Sequence, residues 1–220
     1  MSAAQIDHLV VAADTLAQGV AWCEQSLGVT PGPGGKHRFM GTHNRLLAIA
    51  SPSFPKAYLE IIAIDPDAAP PPRPRWFGLD TAALREAVRE RPRLLHAVTR
   101  TAHIDRLRAA LAERGQDIGP VLAAERATPS GMLRWRISVR DDGALLCGGA
   151  LPTLIEWGDV HPVDSMAPSA VSLQSLSLGG LPPAVFRALS LDAVHLDRQG
   201  PALCVSLNTP RGLLQLSSTD

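Results

Sequence analysis

The chain has 220 residues, and its 21 Lys and Arg residues balance 21 Asp and Glu residues, so the formal net charge is zero. A neutral chain lacks the basic face that nucleic-acid binding needs. No apolar run reaches the length of a membrane span and the N-terminus carries no signal pattern, which predicts a cytoplasmic protein that binds neither nucleic acid nor membrane.

The first part of the chain, residues 1–66, predicts the order strand, helix, strand, strand, strand. Residues 5–13 alternate as a strand that places Ile6 and His8 on one face. A helix with an apolar stripe follows and ends at Gly28. Three further extended segments are predicted at residues 29–37, 43–50 and 57–65.

The last of these strands, AYLEIIAID, carries one carboxylate among apolar neighbours, at Glu60. Burying an unpaired carboxylate costs several kcal/mol or forces its protonation. Glu60 therefore needs a cation, a set of strong donors or access to water. We expect a divalent metal ion, with its other ligands on similar strands elsewhere in the chain.

A proline-rich linker, residues 67–91, separates this module from a second one at residues 92–158. The pattern then repeats, with a strand at 93–101 that carries His96 and a helix at 102–114. An extended segment at 119–128, a TPSG turn at 128–131 and strands at 132–140 and 151–157 follow, and the last strand carries Glu156.

The two halves align on their polar residues. HLVVA matches HAVTR, which sets His8 against His96, and YLEII matches TLIEW, which sets Glu60 against Glu156. The matching positions predict that these four side chains meet at one metal ion. The alternative for each histidine is a hydrogen-bonded core residue, and for each glutamate a strand-end carboxylate paired with an arginine.

A third βαβββ pattern is predicted at residues 170–220. The position of the histidine falls near Ser175 and that of the glutamate near Gln215, so this copy lacks the charged ligands. We expect it to be structural, because a βαβββ unit has an apolar cup face that must be covered. Residues 1–160 are therefore predicted to form a paired domain, followed by this third module.

Several segments of the chain resemble the glyoxalase-like domain family of the vicinal oxygen chelate superfamily. These segments are DHLVVAA, LGVTPGPGGKHRFMGTHNRLL, YLEIIAIDP, RPRWFGLD and LPTLIEWGDVHP. The resemblance implies an α+β fold in which two βαβββ modules form a cupped sheet around a small-molecule pocket, with the third module degenerate. It also implies a homodimer, which we expect to use residues after 170.

In similar proteins the cup holds a divalent metal that chelates two vicinal oxygens. The resemblance thus implies Zn, Ni, Mn, Co or Fe bound by His8, Glu60, His96 and Glu156. By similarity to glyoxalase I, a metal-bound carboxylate moves a proton, with Glu156 favoured over Glu60. The expected function is lyase, isomerase or dioxygenase chemistry on a small oxygen-rich metabolite; the alternative is a protein that sequesters such a molecule without chemistry.

Five further residues are candidates for ligand binding. His37, His43 and Asn44 lie in the family-like GGKHRFMGTHN block, and alternation allows only one of His43 and Asn44 to face the cup. The alternative is that they are polar residues that complete a turn. Trp76 and Trp157 are candidates for the wall of an apolar pocket, and the alternative is that they are ordinary core aromatics.

Overall fold

The computed structural model describes residues 4–128 and 131–220. Its first module contains a long helix and four strands: β1 (Gln5–Ala12), α1 (Leu16–Leu27), β2 (Lys36–His37), β3 (Thr42–Ala48) and β4 (Tyr58–Ile64). After a connecting helix, α2 (Ala82–Glu90), the second module contains β5 (Arg93–Arg100), α3 (Ile104–Ala112), β6 (Val121–Thr128), β7 (Gly131–Ser138) and β8 (Thr153–Trp157). The predicted TPSG turn includes residues 129 and 130, which lie outside the described residues.

The two modules form one eight-stranded, strongly curled sheet, with the order β2-β3-β4-β1-β5-β8-β7-β6. Within each module the first strand pairs parallel with the fourth, β1 with β4 and β5 with β8. The modules join through the antiparallel pair of β1 and β5. This arrangement confirms the fold class that the sequence predicts.

The ends of α1 follow directly from the sequence. The Thr15 side chain accepts a hydrogen bond from the Gln18 backbone N–H at the first turn. Gly28 ends the helix with φ 75°, a left-handed conformation that glycine adopts without a Cβ clash. None of the described helices is long and apolar enough to cross a membrane.

The curled sheet has two apolar faces. The outer face packs against the helices and includes Leu9, Leu59, Ile61 and Leu154. The concave face, which we call the cup, has a separate cluster of buried residues: Val10, Ala12, Ile62, Trp76, Phe77, Val98, Leu133, Trp135, Ile137 and Ile155. The strands β1, β4, β5 and β8 supply both clusters because successive side chains alternate between the two sides.

The third unit has the predicted order of elements, namely β9 (Ser172–Gly179), α4 (Pro183–Leu189), β10 (Val194–Asp197), β11 (Leu203–Thr209) and β12 (Gly212–Ser217). Its strand order, β10-β9-β11-β12, differs from that of the other modules because β9 pairs parallel with β10 rather than with the fourth strand. Buried residues of this second sheet, such as Leu176 and Val205, share one core with the outer face of the first. The third unit therefore covers the back of the cup.

The proline-rich linker contains a short 3-10 turn, Trp76–Gly78, in which Phe77 has φ 59°. Both aromatic side chains of this turn, Trp76 and Phe77, are buried in the cup. A left-handed conformation at a bulky residue is strained, and it persists because the surrounding packing fixes it. The linker thus supplies part of the cup wall.

Candidate active site in the cup

Four polar side chains of the first module meet in the cup. The Glu60 carboxylate on β4 accepts a hydrogen bond from the Asn44 amide on β3 at 2.6 Å and lies 3.5 Å from His8 Nε2 on β1. His37 Nε2 is 3.8 Å from Glu60 Oε1, and His37 Nδ1 is 3.1 Å from the Thr42 hydroxyl. All of these residues are buried. The group is therefore a closed network around one carboxylate.

A second carboxylate, Asp7, holds His8 from behind. Neighbouring strand residues normally point to opposite faces, but the register between β1 and β5 shifts at Asp7, between Ile6 and His8. This β-bulge lets Asp7 Oδ1 contact His8 Nδ1 at 2.7 Å. It also corrects the predicted alternation, because Ile6 joins the outer core while His8 faces the cup.

Asp7 is completely buried and receives three hydrogen bonds. Besides His8, the Trp157 indole N–H donates to Asp7 Oδ2 at 2.9 Å, and His161 Nε2 lies at 2.9 Å from the same oxygen. Burial alone would raise the pKa of Asp7, but the hydrogen bonds from His161 and His8 outweigh it and hold the pKa far below its usual value. Asp7 is therefore a permanent anion.

The charge on His8 follows from its two carboxylate neighbours. Burial disfavours the imidazolium, yet the hydrogen bonds to Asp7 and Glu60 raise the pKa of His8 to about 9. For Glu60, burial opposes ionisation, but His8, His37 and Asn44 lower its pKa to about 2. Burial also lowers the pKa of His37 to about 4. At neutral pH the network thus contains an imidazolium, two carboxylates and a neutral imidazole.

Aromatic rings surround this network. Tyr58 stacks on His8 with ring centroids 4.6 Å apart, and Trp76 meets His37 edge-on at 5.0 Å. The cavity contains about 460 Å³ of empty space, including the part open to solvent. Its remaining wall residues are Leu46, Phe77, Arg126, Leu133, Trp135, Ile137, Ile155, Trp157 and Pro162. Polar groups are therefore concentrated on one side of an apolar pocket.

The structure does not bring Glu156 to this group. Its neighbours Ile155 and Trp157 line the cup, so Glu156 points to the outer face. There its carboxylate accepts a hydrogen bond from Arg136 at 2.9 Å and another from the Ile104 backbone N–H at the start of α3. Glu60 is the third residue of YLEII, whereas Glu156 is the fourth residue of TLIEW. A difference of one position places a strand side chain on the opposite face of the sheet.

His96 lies on the cup side of β5, opposite Val10, but in a separate small cavity next to Phe77. Its Nδ1 is 3.0 Å from the Gly149 carbonyl, and its Nε2 accepts the Thr153 backbone N–H at 3.0 Å. Burial lowers its pKa to about 4. Both ring nitrogens of His96 are therefore occupied, as in the core-histidine alternative.

The ambiguity between His43 and Asn44 is resolved in favour of Asn44, which lines the cup. His43 is partly exposed, with Nδ1 3.9 Å from Asp65. Trp76 and Trp157 both lie in the cup wall.

Four polar residues of the site are absent from the predicted set: Asp7, Tyr58, Arg126 and His161. Asp7 had a sequence signal in its position next to His8, and Tyr58 and His161 lie in the family-like segments YLEIIAIDP and LPTLIEWGDVHP.

The four ligands predicted for a metal ion do not fit one ion as they are arranged. Glu156 is on the wrong face, and His96 has no free nitrogen. Among residues 4–128 and 131–220, no group of three or more His, Cys, Asp or Glu has the arrangement of a metal site. Members of this superfamily commonly bind divalent metals. Any cation in this cup would have to use His8, His37 and Glu60.

Several solved structures are similar to this chain. A hypothetical protein from Staphylococcus aureus has a TM-score of 0.55 at 15% identity, over 97% of this chain and 86% of that chain. A Streptomyces coelicolor methylmalonyl-CoA epimerase in complex with 2-nitronate-propionyl-CoA has a TM-score of 0.46 at 19% identity, over 73% of this chain and 99% of that chain. A methylmalonyl-CoA epimerase from Mycobacterium tuberculosis has a TM-score of 0.40 at 15% identity, over 74% and 92%.

At 15% identity, the likeness to the Staphylococcus aureus protein shows the fold alone. No curated protein matches the sequence. The family described as glyoxalase-like domain matches residues 6–191, which is most of the chain. With the two βαβββ modules and their shared cup, this match establishes that the chain belongs to the glyoxalase-like domain family.

Proposed function

We propose that the cup binds a small oxygen-rich metabolite and transfers a proton on it, with Glu60 as the base and His8 as the donor to a substrate oxygen. One observation carries the proposal. A buried imidazolium and a buried carboxylate, 3.5 Å apart, border an apolar cavity. Such a pair can pull electrons toward a carbonyl oxygen while it removes a proton from the neighbouring carbon.

His8 suits the role of oxyanion donor. Asp7 binds its Nδ1, which fixes the orientation of the ring and leaves Nε2 directed toward Glu60 and the cavity. A pKa of about 9 keeps the ring charged at neutral pH. A fixed cationic donor in an apolar site stabilises negative charge that develops on a substrate oxygen, because little solvent has to reorganise.

Glu60 becomes a stronger base when a ligand is present. Burial raises its pKa, and the contacts with His8, His37 and Asn44 lower it to about 2. When a ligand oxygen accepts the hydrogen bond from His8 Nε2, Glu60 loses part of the interaction that lowers its pKa. Burial then raises the pKa of Glu60 above its value in the free protein. The base is thus weak in the free protein and strengthened when the substrate oxygen is in position.

The metal ion expected from the sequence has no step in this proposal. Its predicted ligands are divided between the cup, the outer face and the sealed position of His96. A cation bound to His8 would also have to displace the proton that Asp7 and Glu60 stabilise. The proposed chemistry therefore uses side chains already in the cup.

Proton exchange in D2O tests the proposal. Wild-type protein should accelerate the exchange of carbon-bound protons next to the carbonyl in small 2-oxo acids, their esters or 1,2-diketones, followed by proton NMR. We expect Glu60→Gln to slow this exchange by about 10²- to 10⁴-fold, the usual contribution of a general base. Glu156→Gln is the matched control, because this carboxylate lies on the other face.

Two results would contradict the proposal. One is wild-type protein that exchanges none of these compounds. The other is loss of exchange in Glu156→Gln with normal exchange in Glu60→Gln.

A second candidate function is sequestration without chemistry. The observation that favours it is the closed network, in which fixed donors from Asn44 and His8 already satisfy Glu60. Under this alternative a ligand binds and raises the melting temperature, but its proton exchange matches the rate in buffer.

We also propose that the protein is a cytoplasmic homodimer that associates through residues after 170. β12 is an edge strand of the second sheet, and its Leu213 side chain is 67% exposed. Unpaired edge strands with apolar side chains favour association. Light scattering at micromolar concentration measures the mass, and a monomer there would argue against this interface.

A further inference from the structure

Arg126 lines two neighbouring cavities, one of which is the cup. It lies on β6 and lines both the cup and a second, larger groove, which contains about 1500 Å³ of empty space including open solvent. The groove wall is mainly apolar and includes Pro33, Leu46, Leu133, Val160 and Met166. Arg126 therefore lies where these two cavities meet.

The guanidinium group has a buried nitrogen without an acceptor. Arg126 Nη1 is inaccessible to solvent and makes no hydrogen bond to any residue in the described parts of the chain. No carboxylate among these residues lies within ion-pair distance of Arg126, Glu60 included. A buried charged donor that remains unpaired costs free energy, so such groups normally meet an acceptor.

The surrounding backbone makes room for this side chain. A Cβ atom at Gly35 would lie 1.8 Å from Arg126 Nη1, so only glycine allows the guanidinium to pack there. The Gly35 N–H also donates to the Asn44 side chain at 2.7 Å. The glycine pair of the family-like block thus packs between the cation and the Glu60 network.

A second donor of the cup is in the same situation. Trp76 Nε1 is buried and has no acceptor among the residues that the structure describes. The carboxylates of the cup do not fill this need, because Asp7 and Glu60 are held by the histidines, Trp157 and Asn44. Among the described residues, the cavity therefore has two buried donors without an acceptor, and one of them belongs to a cation.

We propose that Arg126 binds a carboxylate of the ligand, so that the substrate is a small organic acid with its reactive carbon beside Glu60. This inference rests on the proposed function and narrows its substrate class. A carboxylate offers acceptor oxygens to the guanidinium and, if it reaches that far, to the Trp76 indole. Arg126 and Glu60 line the same cavity and do not form an ion pair, so a ligand can place its carboxylate at Arg126 and its reactive carbon at Glu60. An apolar remainder of the ligand has room in the groove.

The test compares phenylpyruvate with its uncharged methyl ester by calorimetry and by the D2O exchange assay. We expect wild-type protein to bind the acid at least tenfold more tightly than the ester. Arg126→Gln should weaken binding of the acid about tenfold or more, as for a lost charged hydrogen bond, and leave the ester within about twofold. Unchanged binding of the ester shows that this variant is folded. Arg134→Gln is the matched control, because Arg134 is an exposed arginine on the next strand, paired with Glu125.

Arg126→Lys separates charge from geometry, because lysine keeps the charge but lacks the planar pair of donors. Partial recovery of binding of the acid supports the assignment. Equal binding of acid and ester by the wild type, binding of neither, or no effect of Arg126→Gln overturns it. If the ester still exchanges its proton and loses exchange in Glu60→Gln, only this inference fails and the proposed function stands.

Discussion

The two modules of the cup share their strand pairings but not their polar interior. In the first module, β4 directs Glu60 into the cup, where it meets His8, Asn44 and His37. In the second, β8 directs Ile155 and Trp157 inward and Glu156 outward. The glutamate of β8 lies one position later in its strand than Glu60 does in β4, so it forms an ion pair on the outer face instead of facing the cup. The difference shows that similar sequence in a strand does not ensure the same face.

The two carboxylate sites also differ in their surroundings. Asp7 and Glu60 are buried with an imidazolium between them. Glu156 is 21% exposed and pairs with Arg136, which is 41% exposed. Water screens the charges of the second site and not those of the first. Removal of a carboxylate charge should therefore lower the free energy of unfolding far more in the first site than in the second.

The largest effect is expected from Asp7→Asn. This change removes a buried charge from His8 and leaves an imidazolium with one carboxylate partner, so we expect a loss of about 3–5 kcal/mol in the free energy of unfolding. Urea denaturation measures it. Glu156→Gln is the control in the second module and should cost about 1 kcal/mol or less. Similar losses for the two variants would refute the contrast between the modules.

The histidines of the two modules should give opposite dependence of stability on pH. The pKa of His8 is raised from 6.5 to about 9, so its contribution is complete below pH 6.5 and is lost as pH rises through 9. The pKa of His96 is lowered to about 4, so its contribution is complete above pH 6.5 and is lost as pH falls toward 4. Each shift corresponds to a contribution on the order of 3 kcal/mol.

Unfolding measured from pH 4 to pH 10 tests these windows. His8→Gln should flatten the alkaline side of the profile and His96→Gln part of the acid side, where His37 also contributes. Histidine NMR titrations give the two pKa values directly. A His8 resonance that titrates near 6.5 would show that Asp7 and Glu60 do not stabilise its charge.

The smallest expected signal is the metal content of protein purified without chelator or nickel. We expect no stoichiometric divalent metal, because the predicted ligands are separated. Elemental analysis of wild type, His8→Ala and Glu156→Ala measures it. One metal per chain that is lost in Glu156→Ala would restore the ligand set predicted from sequence. One metal that is lost only in His8→Ala would place a cation in the first module alone.

Most elements of the fold could be predicted from the sequence. The helix from Leu16 to Leu27 has its apolar stripe, its Thr15 cap and its terminal Gly28, all of which are local signals. The run of aliphatic residues around Glu60 predicts a strand there, and the structure has one at Tyr58–Ile64. The strand order of the third unit was not predictable in this way, because pairing depends on contacts between distant segments.

The candidate site was only half predictable. His8 and Glu60 were found because a charged or polar residue in an apolar strand needs a partner. Arg126 and His161 gave no such signal, because an arginine in a strand next to a hairpin is ordinary and His161 lies in a loop. The role of Arg126 and His161 depends on which side chains of distant strands the curled sheet brings next to them.

The sequence by itself determined the order of the elements and the two strands that carry His8 and Glu60, because these follow from local propensity and alternation. Only the tertiary structure decided which side chains meet. The bulge at Asp7 changes the face of Ile6 and brings a second carboxylate to His8. The register of β8 sends Glu156 away from the cup. Register and bulges depend on pairing with a neighbouring strand, so no single strand sequence contains them.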